Sequence, residues 1–164
     1  MKEEKFFEGN VPFSFIMDRP TFRLDGQPIR AVFFDLYSTD SQGEIYHLMQ
    51  EKEGILEEFG GKTDAQDFHY LDTGVRETLE ESNGVLNHDE LLQEAQHAIN
   101  EGRYILNASS KALIVRVFCP RYYHSSLFGD REIHDNHERK VVYVSATIYR
   151  DSKTRFHPRM TYAR

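Results

Sequence analysis

The sequence predicts one α/β or α+β domain, a sandwich with strands before, between and after two helices. Three observations carry this. Four apolar runs have strand character, two windows repeat apolar residues at helical spacing, and the composition supports one buried core. A chain of 164 residues hides roughly 70% of its unfolded surface. With 39% hydrophobic and 13% aromatic residues, it is not an intrinsically disordered composition. No repeat, low-complexity stretch or long Gly/Ser/Pro linker divides residues 1–164, which are read as a single domain.

Residues 1–28 are aromatic-rich and broken by Pro12, Pro20, Gly26 and Pro28. They read as loops with short strands such as Phe13–Met17 and a turn at Asp25-Gly26. Ile29–Tyr37 and Ile45–Gln50 are strands joined through the polar turn Ser38–Gly43. Glu51–Gly61 reads as a loop closing on the pair Gly60-Gly61. Asp72–Ser82 is helical, because Leu71, Val75 and Leu79 recur every fourth residue as one apolar stripe, and Asn83-Gly84 caps its end. Asn87 and Glu90 make a capping-box-like start to a second helix, Asp89–Glu101, which buries Leu91, Leu92, Ala95, Ala98 and Ile99. Ala112–Cys119 is almost continuously apolar, as a strand buried on both faces should be. Arg121–Lys140 is a long polar loop, Val141–Tyr149 is the last strand, and residues 150–164 form a basic tail.

Several function classes fall away. The single cysteine, Cys119, supports neither an intramolecular disulfide nor a thiolate zinc site, and its apolar strand makes it a core residue rather than a nucleophile. Ser109-Ser110 and Ser125-Ser126 lack a nucleophile-elbow context, and there is no P-loop or dinucleotide glycine fingerprint. His134-Asp135-Asn136-His137-Glu138 lacks the metalloprotease order and reads as a polar rim. No apolar run approaches the ~20 residues of a membrane span, so no membrane partner is expected. Met1–Lys5 is charged with no apolar stretch behind it, which predicts no signal peptide and a cytoplasmic site of action; a mature form already processed would read the same.

The formal charge of −7 is uneven. Residues 150–164 carry Arg150, Lys153, Arg155, Arg159 and Arg164 against Asp151 alone, a net +4 that leaves −11 on the rest. Such a tail is either a solvated terminus or a contact for a phosphate-rich ligand. Tyr149, Phe156 and Tyr162 interleave with its cations, a weak form of the pattern of a single-stranded nucleic-acid surface. DNA is not expected. The loop aromatics Tyr122, Tyr123 and Phe128, set among Arg121, His124 and Arg131, are candidates for stacking a base beside a phosphate.

The stretch with chemistry in it is Gly60-Gly61-Lys62-Thr63-Asp64-Ala65-Gln66-Asp67 followed by Arg76-Glu77-Thr78-Leu79-Glu80-Glu81. On a helix, Glu77, Glu80 and Glu81 fall within about 100° of arc, away from the Leu71/Val75/Leu79 stripe. Like charges at that spacing repel. Arg76 offsets part of the cost through Glu80 at i+4, and divalent cations offset the rest, because carboxylates with waters and phosphates are what Mg²⁺ prefers. A solvated acidic face would also contain three glutamates. The preceding glycine pair and its spacing separate the two readings.

This segment resembles the Nudix box: Gly, five residues, Glu, seven residues, Arg-Glu, an apolar residue, any residue, Glu-Glu, any residue, Gly. Gly61 leads, Asp67 stands where the first Glu is expected, and eight residues (Phe68–Val75) rather than seven precede Arg76. Thr78 replaces the apolar residue and Asn83-Gly84 shifts the closing Gly by one, while Arg-Glu-x-x-Glu-Glu is intact. The resemblance covers about 24 of the 164 residues. It implies an α/β/α sandwich around a central mixed β-sheet, and a hydrolase acting on a nucleoside diphosphate linked to a further group X, dependent on Mg²⁺ or Mn²⁺. It further implies that Glu77, Glu80, Glu81 and the Gly60 carbonyl hold the cations, with Glu77 also a candidate base. Arg76 would orient the glutamates, through Asp67, and Lys62 would meet a phosphate. A final acid comes from a later loop, where Asp130, Glu132, Asp135 and Glu138 are the choices and Glu138 is preferred. Arg30, Arg121 and Tyr122 join Lys62 as candidate substrate-binding residues.

Capped mRNA, cut to release methylated guanosine diphosphate, is the leading substrate. The basic aromatic tail supports it, and so does a likeness of this box variant to Nudix proteins of fungi and large DNA viruses. Other phosphate-rich small molecules stand behind it: dinucleoside polyphosphates and diphosphoinositol polyphosphates, then ADP-ribose. A Nudix-fold binding module without catalysis ranks low, because all three glutamates of the central element are kept.

Overall fold

The computed structural model describes residues 18–123, 125–129, 131–132 and 138–156, with 125, 126, 131, 132, 138 and 154–156 by backbone only. The strand expected at Phe13–Met17 lies outside them. A small hairpin, β1 (Phe22–Leu24) and β2 (Gln27–Ile29), turns through Asp25-Gly26, both at positive φ. β3 (Ala31–Thr39) and β4 (Ile45–Lys52) follow, then β5 (Ile55–Glu57) and β6 (Phe59–Lys62). Helices α1 (Tyr70–Glu81) and α2 (His88–Asn100) precede β7 (Tyr104–Asn107) and β8 (Ala112–Phe118). A 3-10 turn (Ser125–Phe128), β9 (Arg131–Glu132), β10 (Glu138–Ser145) and α3 (Ala146–Phe156) complete the described chain.

The fold is a mixed α/β sandwich. An eight-stranded sheet runs β7-β8-β3-β4-β10-β9, with β5 against β4 and β6 against β3. β3 pairs in parallel with β8 along Ala31–Tyr37, and its other neighbours are antiparallel. Val32, Phe34 and Leu36 of β3 and Leu113, Val115 and Val117 of β8 are fully buried on one face, beneath Leu71, Val75, Leu91, Ala95 and Ala98 of α1 and α2. Alternation puts Ala31, Phe33, Asp35 and Tyr37 on the opposite face. There α3 docks, with Tyr149 stacked flat on His47 at 3.9 Å and His47 Nδ1 2.6 Å from Asp35 Oδ1.

α1 begins at Tyr70, with His69 as its N-cap, and not at Asp72. The His69 ring accepts from the Leu71 N–H, and the Asp72 carboxylate accepts from the His69 N–H, which together close a capping box. Gly74 lets α1 approach β3, since a Cβ there would stand 2.3 Å from the Phe34 ring. Asn87 caps α2 by accepting from the Glu90 N–H at 2.9 Å.

Two further expectations are corrected. Glu51–Gly61 is not a loop: it holds β5 and β6, and Gly60 and Gly61 belong to a strand paired with β3. The last strand stops at Ser145, and the chain turns into α3, so the tail starts as a docked helix. Tyr149 and Lys153 are buried, and Lys153 Nζ sits 2.6 Å from Glu58 Oε2. The apolar run is the same whether strand or helix follows; the Tyr149–His47 stack and the Lys153–Glu58 pair decide in favour of the helix. Among the described residues, no helix is long and apolar enough to cross a membrane.

Thr78, where the Nudix pattern has an apolar residue, is fully buried, and its hydroxyl has no hydrogen-bond partner among the described residues. Thr78→Val removes that orphaned group at nearly constant volume. It should raise stability by about 1–2 kcal/mol in urea unfolding.

Candidate active site

β3 changes partner halfway along one edge. Ala31–Phe34 pair with β6 and Leu36–Thr39 with β4, so the two neighbours part around Asp35 and open a fork. The C-terminal half of α1 lies over that fork. Gly60 has φ +153°, and a Cβ on it would be 2.3 Å from the Val32 carbonyl oxygen. At Gly61 a Cβ would stand 2.6 Å from the Glu77 carboxyl carbon. Gly60 is therefore required by the β3 backbone, whereas a side chain at Gly61 would displace the Glu77 carboxylate.

The three glutamates differ in setting. Glu80 is exposed, whereas Glu77 and Glu81 are half-buried against the glycine strand. Glu81 Oε1 accepts from the Gly60 N–H at 2.9 Å and from Gln50 Nε2 at 3.2 Å. Burial pushes the Glu77 carboxyl above its usual range; Arg76 opposes this, while Glu80 and Asp67 reinforce it.

Arg76 and Asp67 come together as a two-pronged pair. Nε meets Oδ1 at 3.0 Å and Nη2 meets Oδ2 at 2.9 Å. The same guanidinium reaches Glu77 Oε2 at 3.1 Å and the Lys62 carbonyl at 3.1 Å. Its ion pairs are with Asp67 and Glu77, where helix spacing had pointed to Glu80. The Asp67 carboxylate also accepts from Thr73 Oγ1 at 2.7 Å and the Asp64 N–H at 2.9 Å. Burial would raise the Asp67 carboxyl, but the Arg76 and Thr73 bonds outweigh it and hold the group below its ordinary value of 3.8. The shorter side chain and the extra residue before Arg76 thus still allow the contact.

Beside Glu81 lies a cavity of about 510 Å³, within the range of small-molecule sites. Lys62 lines it, as do Gln50, Glu58 and Arg139, which sequence reasoning missed, and Lys153, which it had placed in a basic tail. Gln50 is 1% exposed and ties Glu81 to the Glu58 carbonyl and to Arg139. Burial would raise the Glu58 carboxyl, yet Lys153 and Tyr149 bind it tightly enough to keep it low. Glu58 lay in a supposed loop, and no local pattern marked it.

Other expected residues do not join this cavity. Arg30 donates to the Arg19 carbonyl and Thr21 Oγ1, which turns it toward the N-terminal segment. Arg121 is ion-paired to Glu90 beside a cleft of only about 10 Å³, too small for a ligand. Tyr122 stacks on Tyr143 at 4.9 Å. Tyr123 packs against the core, and Phe128, 1% exposed, belongs to it. Burial pushes the Cys119 thiol up to about 12, as a core cysteine requires. Glu138 opens β10, and its side chain lies outside the described set together with Asp130, Asp135 and the Glu132 side chain.

The donors fit Mg²⁺ or Mn²⁺ by type. Among the described residues no three His, Cys, Asp or Glu side chains close into a metal cage. Mg²⁺ takes one or two carboxylates and keeps waters and substrate phosphates as its other ligands, so a half-open oxygen face suits it. Comparison with known protein families and with curated sequences gives no match to the chain.

Asp67→Asn keeps the shape and removes the charge that Arg76 faces. It should cost about 2–3 kcal/mol at neutral pH, read by denaturant titration. Because the folded pKa of Asp67 is depressed, its contribution is present above 3.8 and is lost as pH falls through the lower folded value. The variant should therefore lose less stability than the wild type over that acid range.

Proposed function

We propose that this protein is a Nudix-type pyrophosphohydrolase cleaving a nucleoside diphosphate linked to X, with the 5′ cap of mRNA as the leading substrate. One observation carries the reading: Glu81, half-buried and bonded to the Gly60 N–H, lines a ligand-sized cavity, with Glu77 half-buried against Gly61 one helical turn before it. Glu77, Glu80, Glu81 and the Gly60 carbonyl would hold Mg²⁺ or Mn²⁺, which supplies neutralisation of phosphate charge and acidifies a bound water. Arg76, clamped by Asp67, fixes Glu77. Glu77, its carboxyl raised by burial, would take the proton of the attacking water. The water oxygen bonds to phosphorus, the bridging P–O bond breaks, and two phosphate-ended products leave. Lys62 meets the phosphate chain.

Glu81→Gln should abolish turnover with Mg²⁺ or Mn²⁺ while leaving the melting transition in place, since the amide oxygen still accepts from Gly60. The measurement is mass spectrometry of products from capped RNA, diadenosine polyphosphates, diphosphoinositol polyphosphate and ADP-ribose. Equal turnover by the variant overturns the mechanism.

Capped RNA rests on the basic C-terminal residues. Tyr149 and Lys153 are built into the fold, so the contact falls to Arg150, Arg155, Arg159 and Arg164. Changing Arg155, Arg159 and Arg164 together to Gln should lower the salt slope of capped-RNA binding by about 2 and leave a dinucleotide unaffected. An unchanged slope moves X to the dinucleoside or diphosphoinositol polyphosphates.

A further inference from the structure

Gln50 is a buried polar side chain that the hydrolytic steps above leave without a role. Both ends of its carboxamide are engaged. The NH₂ donates to the Glu58 carbonyl at 3.3 Å and to Glu81 Oε1 at 3.2 Å, while the oxygen accepts from Arg139 Nη1 at 3.4 Å. These partners admit one orientation. Turned by half a revolution, the amide would set its oxygen against a carbonyl and a carboxylate, and its NH₂ against a guanidinium. Glu81 Oε1 receives this NH₂ together with the Gly60 N–H at 2.9 Å, so its two donors come from β4 and β6. Two donors on one oxygen fix the rotation of the carboxylate as well as its place.

The groups that orient Gln50 are themselves held. Glu58 is the single residue between β5, which pairs with β4, and β6, which pairs with β3. It is the pivot at which the chain changes neighbour. Its carbonyl faces Gln50, and its carboxylate is gripped from α3 by Lys153 Nζ at 2.6 Å and by the Tyr149 hydroxyl at 2.9 Å. The Glu58 and Lys153 side chains are only 9% and 5% exposed, and a buried pair of this kind specifies position. Tyr149 is anchored in turn by its stack on His47. Arg139 reaches the Gln50 oxygen from β10 and is steadied by Glu57 at 3.1 Å.

From this we infer that Gln50 is a positioning residue for Glu81 and that α3 is the strap that keeps it in place. Lys153 and Tyr149 fix the Glu58 pivot, the Glu58 carbonyl and Arg139 orient the Gln50 amide, and the amide sets the Glu81 carboxylate for a divalent cation. The inference rests on the pyrophosphohydrolase reading for the role of Glu81 as a cation ligand. It makes the cation affinity of the site depend on a helix docked against the opposite face of the sheet, so loosening α3 lowers that affinity without removing a ligand.

The test uses the full chain and two readouts. One is calorimetric binding of Mn²⁺. The other is hydrogen exchange of the Gly60 amide relative to the other β6 amides, followed by NMR without metal, which reports the Gly60–Glu81 bond directly. Gln50→Met keeps the length and removes the amide. Lys153→Met keeps the stem and removes the ammonium; if it fails to fold, Tyr149→Phe takes its place, keeping the ring on His47 and removing only the hydroxyl from Glu58. Ala98→Gly, in the core of α2, is the control that lowers stability away from these contacts. Gln50→Met and the α3 variant should each weaken Mn²⁺ binding about tenfold, the scale expected when an outer partner of a metal ligand is lost, and should speed Gly60 exchange. Ala98→Gly should lower the melting temperature and move neither readout. Wild-type Mn²⁺ affinity and Gly60 exchange in Gln50→Met, or changes no larger than those of Ala98→Gly, would overturn the positioning role. Both readouts moved by Gln50→Met and neither by the α3 variant would overturn the strap. A wild-type chain that binds no Mn²⁺, with Gly60 exchange faster in both variants, would sink the metal-dependent reading alone. Mn²⁺ bound equally by the wild type and both variants would sink the inference alone.

Discussion

The division of one edge of β3 between two partners sets the geometry of everything around the site. An antiparallel neighbour can satisfy only the backbone groups it faces, so β6 takes Ala31–Phe34 and β4 takes Leu36–Thr39. Where the two part, the sheet has an opening that backbone pairing cannot fill. Side chains fill it instead. Glu81 accepts from the Gly60 N–H on one prong, and Gln50 reaches it from the other. The carboxylate at the end of α1 thus stitches the fork and stands at the edge of the cavity.

Three glycines remove matter from the contacts around the helix. Gly74 admits the Phe34 ring, Gly60 admits β3 and the Phe33 ring, and Gly61 admits the Glu77 carboxylate. The Arg76–Asp67 clamp then fixes where α1 sits along its axis relative to the loop after β6. Packing sets the distance and charge sets the register. Burial that raises the Glu77 carboxyl is tolerated beside an arginine that opposes the rise.

α3 acts on the same region from the other face of the sheet. Tyr149 covers the His47–Asp35 pair, and Lys153 reaches a glutamate one residue before β6. A buried ion pair of this kind contributes little net stability but specifies position, because removing either partner strands a charge. The carbonyl of the same Glu58 holds Gln50, and Gln50 holds Glu81, so a continuous set of contacts links the C-terminal helix to the glutamates.

The sequence by itself determined both core helices, because apolar residues at helical spacing and the Asn87 and Asn83-Gly84 caps are local signals. It determined β3, β4 and β8 for the same reason: burial on one or both faces is written in their alternation or continuity. The pairing of Asp67 with Arg76 came only from the resemblance to the Nudix box, since helix spacing by itself pointed Arg76 to Glu80. What the tertiary structure decided was everything whose cause is remote in the chain. β5 and β6 form because β4 and β3 offer them edges, and a glycine pair in isolation looks like a loop. Ala146–Phe156 is a helix because His47 and Glu58 receive Tyr149 and Lys153. Gln50 and Arg139 join the site across 89 residues of chain. Arg121 leaves it for Glu90, and Arg30 for the N-terminal segment. Periodicity reports which face of an element is buried, but not which neighbour buries it, and an ion pair between distant residues leaves no spacing to read.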